Sequence, residues 1–233
     1  MRGLIELAQL MMTSSERRLE TTAHNVANTA TSGFKRDVLY QSALTGAQNA
    51  QAQPVTRADL AQGGLTHTGR SLDLAISGNG FFVVSDGNRL FYTRNGAFSR
   101  LGDGRLVDAH GFALQSSEGG DVIIPDDRVQ ITDEGAVLSG GAPVGALAIA
   151  APAPDAPAMR SISDTLFASD TDGSMTQSDA RIRQGMLESS NVDMALEMTN
   201  MMSALREAET GARIAQTYDA LIGQSITTFG RAR

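Results

Sequence analysis

Cysteine and tryptophan are absent from the 233 residues, lysine occurs once, at Lys35, and histidine only three times. Without cysteine the chain has no disulfide framework and no thiolate for metal or nucleophilic chemistry, so redox compartment is left open. Cations are scarce as well: 19 Lys plus Arg stand against 26 Asp plus Glu, a net charge of −7, and the pI is near 4.9. Binding to a phosphate backbone needs clustered cations, so no nucleic-acid partner is expected. No long apolar run exists either. The longest uncharged apolar run, Ala142 to Pro154, is too short and too interrupted by proline to cross a bilayer, which predicts a soluble chain with no direct membrane insertion. The opening, Met1 to Gln9, carries Glu6 and Gln9 inside its apolar block and no small-x-small cleavage site follows, so it does not read as a Sec signal peptide.

What is present falls into three zones. Residues 1 to 36 carry a net charge of +2, residues 37 to 174 one of −8, and residues 175 to 233 one of −1. The first zone keeps a 3-4 alternation through Ile5, Ala8, Met12, Ser15, Leu19, Thr22 and Val26, the spacing of a helical seam. Gly33 is a plausible stop. The last zone holds the same period through Met194, Met198, Met201, Leu205, Ala208, Ala212, Ala215, Asp219, Ile222, Ile226 and Phe229, with Ser190 and Asp193 as a weak capping-box variant at its start. Both ends are therefore predicted as amphipathic helices, about 37 Å and about 57 Å long.

A one-sided stripe on a lone helix is marginal in water, so each helix needs a partner surface. The first helix is too short to cover the last, and neighbouring molecules can supply the rest. Alanine at three successive seam positions allows a close helix approach, which an intramolecular pair would also explain. Two readings stand for Met194, Met198, Met201 and Met202: core packing, or an adaptable surface for non-identical neighbours. Asp219 reads either as a register-fixing polar contact or as an exposed position beyond the paired region.

Between the helices, short β-rich runs such as Leu72–Ile76, Phe81–Ser85, Leu90–Thr93 and Val129–Thr132 alternate with Asn-Gly, Asp-Gly and Glu-Gly pairs. That rhythm predicts antiparallel hairpins and not βαβ units. Ala150 to Ala158, with three prolines, reads as a stiff connector. The expected fold class is α+β: long N- and C-terminal helices forming a coiled-coil-like layer, with a central antiparallel β-rich domain. The expected divisions are residues 1–36 and 175–233 as the helical ends, 63–165 as the β-rich domain, and 37–62 and 166–174 as connectors.

Chemistry finds little footing. His24, His67 and His110 are far apart and H-E-x-x-H is absent. Ser32-Gly33-Phe34-Lys35 fits S-x-x-K without its companion motifs, and Gly78-Asn79-Gly80 leads into a strand instead of a phosphate-binding helix. Asp170 to Gly173 has its glycine too early for a calcium loop and reads as an acidic turn. Arg94 and Asn95 read as a hairpin corner. No enzyme, metal or cofactor is expected.

Four segments carry a resemblance. Thr22-Ala23-His24-Asn25-Val26-Ala27-Asn28-Thr29-Ala30-Thr31-Ser32-Gly33-Phe34-Lys35-Arg36 resembles the N-terminal signature of bacterial flagellar rod and hook proteins, with His24 where the pattern usually has Asn. Leu72 to Val84 and Tyr92 to Ser99 are similar to the family's central hairpin signatures, and Gly185 to Asp193 to the lead-in of its C-terminal helix. Within the family, the short length without a large inserted outer domain is most like the proximal rod members.

The resemblance implies a structural subunit of the basal-body rod in the periplasm, exported unfolded through the flagellar export apparatus. There it would polymerise helically with other copies and with other rod proteins into a torque-transmitting shaft around the export channel. It also implies that Asn25, Asn28, Gly33 and Phe34 form the bend where the first helix ends, although each could merely be a helix terminus. The competing reading is a secreted β-rich adhesin or binding module with a coiled-coil stalk, which aromatics at 5% of the chain weaken.

Overall fold

The computed structural model describes residues 2–40, 55–126, 128–153, 159–169 and 175–230. The acidic turn at Asp170 to Gly173 and the last part of the proline-rich stretch lie outside these residues. The chain divides into two compact units, one formed by its two ends (1–27 and 193–233) and one by residues 28–192.

The end unit is a pair of helices, α1 (Arg2–Ala27) and α2 (Met194–Gly230). Asp193 starts α2 as its N-cap: its Oδ1 accepts from the backbone N–H of Ala195 (2.9 Å) and Leu196 (3.2 Å), so the cap is Asp193 itself and not the Ser190 variant. Small or polar buried positions recur every seven residues, Ala8, Ser15 and Thr22 on α1 and Glu197, Ala204 and Gly211 on α2, with Asn25 buried as well in the last turn of α1. At Gly211 the helices approach so closely that an added Cβ would lie 3.0 Å from Met12 Cγ and 3.3 Å from the Ala8 carbonyl. Beside this stripe Arg18 Nη1 meets Glu207 Oε2 at 2.6 Å, a half-exposed ion pair worth at most about 1 kcal/mol.

The predicted coiled-coil-like layer is corrected by this arrangement, although the α+β content stands. Among the described residues there are two helices, one from each end, and they make a single pair. Layers of the coiled-coil kind need large seam residues interdigitating as knobs in holes. Here the seven-residue period is real, but the buried row is the small one. On α2 the large seam residues Met198 and Leu205 stand one position round the helix from Glu197 and Ala204, toward solvent.

The second unit is strand-rich. Its main sheet runs in the spatial order Arg160–Ser163, Leu166–Ala168, Leu90–Thr93, Phe81–Ser85, Ala113–Leu114, Leu106–Val107, Ser99–Arg100, all antiparallel. Ile149–Pro152, whose last three residues fall in the predicted connector, is also a strand and pairs with Phe81–Ser85 and with Met175–Gln177. Proline is tolerated at position 152 because the pairing with Phe81–Ser85 reaches only Ile149 and Ala150, which leaves Pro152 with a strand neighbour on one side alone. A meander of Val129–Ile131, Ala136–Ser139 and Ala142–Ala146 forms a second sheet. Leu74, Ile76, Phe82, Val84, Leu114, Val137 and Ile182 fill the core, where the Phe82 and Phe98 rings meet edge to face at 5.3 Å. Two further antiparallel pairs tie the beginning of the unit to its end: Leu65–His67 with Met186–Glu188, and Leu74–Ser77 with Arg181–Gln184. The chain's return toward α2 is thus stitched to its outward path.

Candidate functional site

Within the strand-rich unit, segments remote in sequence converge on one carboxylate. Glu188 ends the strand Met186–Glu188 and is fully buried. Its Oε1 accepts from Lys35 Nζ at 2.6 Å and from the Gly63 N–H at 2.8 Å, and its Oε2 accepts from Arg94 Nη1 at 3.0 Å. Lys35 Nζ also donates to the Ala61 carbonyl at 2.6 Å, and Arg94 Nη2 to the Gly78 carbonyl at 2.8 Å. The Arg94 guanidinium lies 5.1 Å from the centre of the Phe81 ring.

Two buried cations share one buried carboxylate, leaving an excess positive charge that the Ala61 and Gly78 carbonyls and the π face of Phe81 offset. Burial pushes the Lys35 ammonium below its usual value, against the hydrogen bond and charge of Glu188, which pull it up. A carboxylate enclosed by three donors and shut off from solvent has no path to a substrate. It works as a clasp.

The local chain makes this geometry possible. After α1, Thr31 N donates to the Asn28 carbonyl (3.1 Å) and Thr31 Oγ1 to Asn28 Oδ1 (2.9 Å), and Phe34 N donates to the Thr31 carbonyl (3.3 Å). Gly33 then takes φ +72°, with its backbone pressed on Arg94 and Asn95 and its N–H donated to the Glu188 carbonyl at 2.8 Å. On the other strand, Thr93 Oγ1 accepts from Asn95 N and Asn95 Oδ1 from Ala97 N, which holds Arg94 in place. Asn191 completes the junction: its Oδ1 accepts from Arg36 N at 2.7 Å and its Nδ2 donates to the carbonyls of Asp59 (2.9 Å) and Ala61 (3.0 Å).

Because Lys35 is the sole lysine, its enclosure is directly measurable. Amine-selective acylation of the native protein is expected to leave the Lys35 peptide unmodified, with full modification on unfolding, as read by mass spectrometry. Rapid modification of the native chain would contradict the clasp.

The sequence-predicted seam residues lie in the helical unit. Ile5, Met12, Met194, Met198, Leu205 and Ile222 are exposed, with Met198 at 52% and Leu205 at 48%. Leu19, Val26, Met201, Ala208, Ala212 and Ala215 are half-buried beside the small-residue stripe, and Asp219 is exposed. The side chains of Ile226 and Phe229 lie outside the described residues. Of the four residues expected at the bend, Asn25 lies in the last turn of α1, Asn28 opens the turn after it, and Gly33 and Phe34 follow; all four are buried. Gly33 is joined directly to the clasp through its N–H on the Glu188 carbonyl.

Lys35 and Glu188 carry no assigned role in the sequence reading, and Arg94 reads there as a hairpin corner. The available signal was the position of the only lysine between Phe34 and Arg36, inside a motif and not on a polar surface. Its partner lies 153 residues away, beyond any local pattern.

Comparison with known proteins places these motifs. Residues 75–139 match the family described as "Flagellar hook protein FlgE/F/G D1 domain", and residues 183–228 that described as "Flagellar basal body rod FlgEFG protein C-terminal". The chain is 31% identical to the flagellar basal-body rod protein FlgF of Caulobacter vibrioides, over 92% of this chain and 93% of that one. It is 32% identical to the rod protein FlgG of Agrobacterium fabrum (93% and 95%) and 27% identical to FlgG of Bacillus subtilis (92% and 94%). Matches of this identity run through both helical ends and the strands between them, and the chain accordingly belongs to the flagellar basal-body rod protein family, as a structural subunit of the rod.

Proposed function

We propose that this subunit polymerises helically with copies of itself and with other rod proteins, transmitting torque as part of a shaft that encloses the export channel. On this reading it reaches the rod through the flagellar export apparatus. It takes the proximal, FlgF-type position, because the alignment with Caulobacter FlgF spans 235 positions, close to this chain's own length, whereas that with Agrobacterium FlgG spans 257.

The observation that carries the proposal is the mismatch of faces in the helical unit: the pair buries small residues and leaves Met194, Met198, Leu205 and Ile222 exposed. Apolar side chains of that size in one row are a surface awaiting cover. The proposed contact set is Ile5, Met12, Leu19, Val26, Met194, Met198, Met201, Leu205, Ala208, Ala212, Ala215, Ile222, Ile226 and Phe229, with Asn25, Asn28, Gly33 and Phe34 fixing where α1 ends.

Leu205→Asp tests it. The variant is expected to fold with an unchanged far-ultraviolet spectrum and an unchanged unfolding midpoint, because Leu205 is exposed in the free chain, yet to fail in polymerisation and motility. Normal motility of cells carrying the Leu205→Asp variant would overturn the proposal.

A further inference from the structure

All of this chain's sulfur is thioether: it has ten methionines, no cysteine and no tryptophan. Two-electron oxidation by peroxide therefore has few targets, and exposure decides among them. On α2, Met194, Met198 and Met202 are 44%, 52% and 56% exposed, while Met11, Met159, Met175, Met186 and Met201 are half-buried and Met12 on α1 stands between at 36%. Spaced four residues apart, the three exposed thioethers of α2 form one stripe, and Leu205 lies on the same face.

We propose that Met194, Met198 and Met202 form an oxidation site for peroxides that reversibly disables the unassembled subunit. A thioether lone pair attacks one peroxide oxygen, the O–O bond breaks, and water leaves. Sulfur is oxidised by two electrons to the sulfoxide and the peroxide is reduced. Each event replaces a flexible apolar tip with a polar S=O group on the row proposed above as the contact surface, and polar groups without partners resist burial. A methionine sulfoxide reductase supplied with a dithiol reverses the change, returning the oxygen as water. This block rests on the assembly reading; the site itself does not.

The test treats the full-length free chain with dilute hydrogen peroxide and follows each methionine by peptide mass spectrometry. Met194, Met198 and Met202 are expected to oxidise roughly fivefold faster than Met186 and Met201. The oxidised chain is expected to lose polymerisation and to regain it after reductase and dithiothreitol. A variant carrying Met194→Leu, Met198→Leu and Met202→Leu, scored only against its own untreated sample, is expected to lose no polymerisation on peroxide treatment. Equal oxidation rates across the five methionines would overturn the site, whatever the assembly assay shows. Stripe oxidation with unchanged polymerisation, or equal loss in wild type and the triple variant, would overturn the block. Neither result touches the assembly reading, which Leu205→Asp tests separately.

Discussion

Glu188→Ala is expected to destabilise the strand-rich unit by about 3–5 kcal/mol, the cost of leaving buried charges without their counterion. Lys35 and Arg94 would then face each other across a dry space with only the Ala61 and Gly78 carbonyls and the Phe81 ring to stabilise them. The loss is larger than that from deleting either cation. Removing Lys35 still leaves the carboxylate bound by Arg94 and the Gly63 N–H. Urea unfolding followed by circular dichroism measures it, and Glu188→Gln, which keeps the shape and loses the charge, is expected to fall between alanine and wild type. A change within about 0.5 kcal/mol, the range of ordinary surface substitutions, would show that the triad does not hold the unit together.

Gly33→Ala is the second large effect. At φ +72° a Cβ costs about 1–2 kcal/mol on conformational grounds alone. The added carbon would also be driven into the backbone of Arg94 and Asn95, which has no flexible side-chain end to move aside. Relief requires either lifting Gly33 away, which breaks its bond to the Glu188 carbonyl, or displacing the Arg94 turn, which pulls the guanidinium off Glu188. The variant is accordingly expected to lose more than the conformational term and to expose Lys35 to acylation. Destabilisation without any new reactivity at Lys35 would separate Gly33 from the clasp.

Much of the fold was legible because it is local. Seven-residue periodicity marked both helices to within about two residues of their ends, and Asp-Gly and Asn-Gly pairs marked the hairpins around Phe81–Ser85 and Leu90–Thr93. On α1 the buried row Ala8, Ser15 and Thr22 is every second member of the seam read from the sequence, whereas on α2 the buried face was not legible. Hydropathy favours Met198 and Leu205 for the interior, but helix proximity is set by the smallest residues, and Ala204 and Gly211 win because they let the backbones approach. Short strands such as Leu65–His67 and Met186–Glu188 were missed, since three residues carry no readable alternation and their pairing spans most of the chain. The clasp was hidden for a related reason. Lysine, arginine and glutamate read as surface residues one at a time, and only the fold shows that together they are an interior group.

These features connect in one chain of cause. Motif glycines allow close backbone passage, the passage encloses Glu188 with its cations, and the enclosed triad joins the outward and returning segments of the strand-rich unit. In the helical unit, the small-residue stripe is satisfied within the chain and the large apolar row is not. On the proposed assembly reading, the first keeps the shape of the strand-rich unit and the second leaves a surface for neighbouring subunits to cover.

Electron cryomicroscopy of the native basal body tests this most directly, at the side chains of Met198, Leu205 and Ile222. The account predicts each within about 4.5 Å of apolar atoms from an adjacent subunit. Finding all three facing solvent or the central channel, with subunits joined through the strand-rich unit alone, would contradict it.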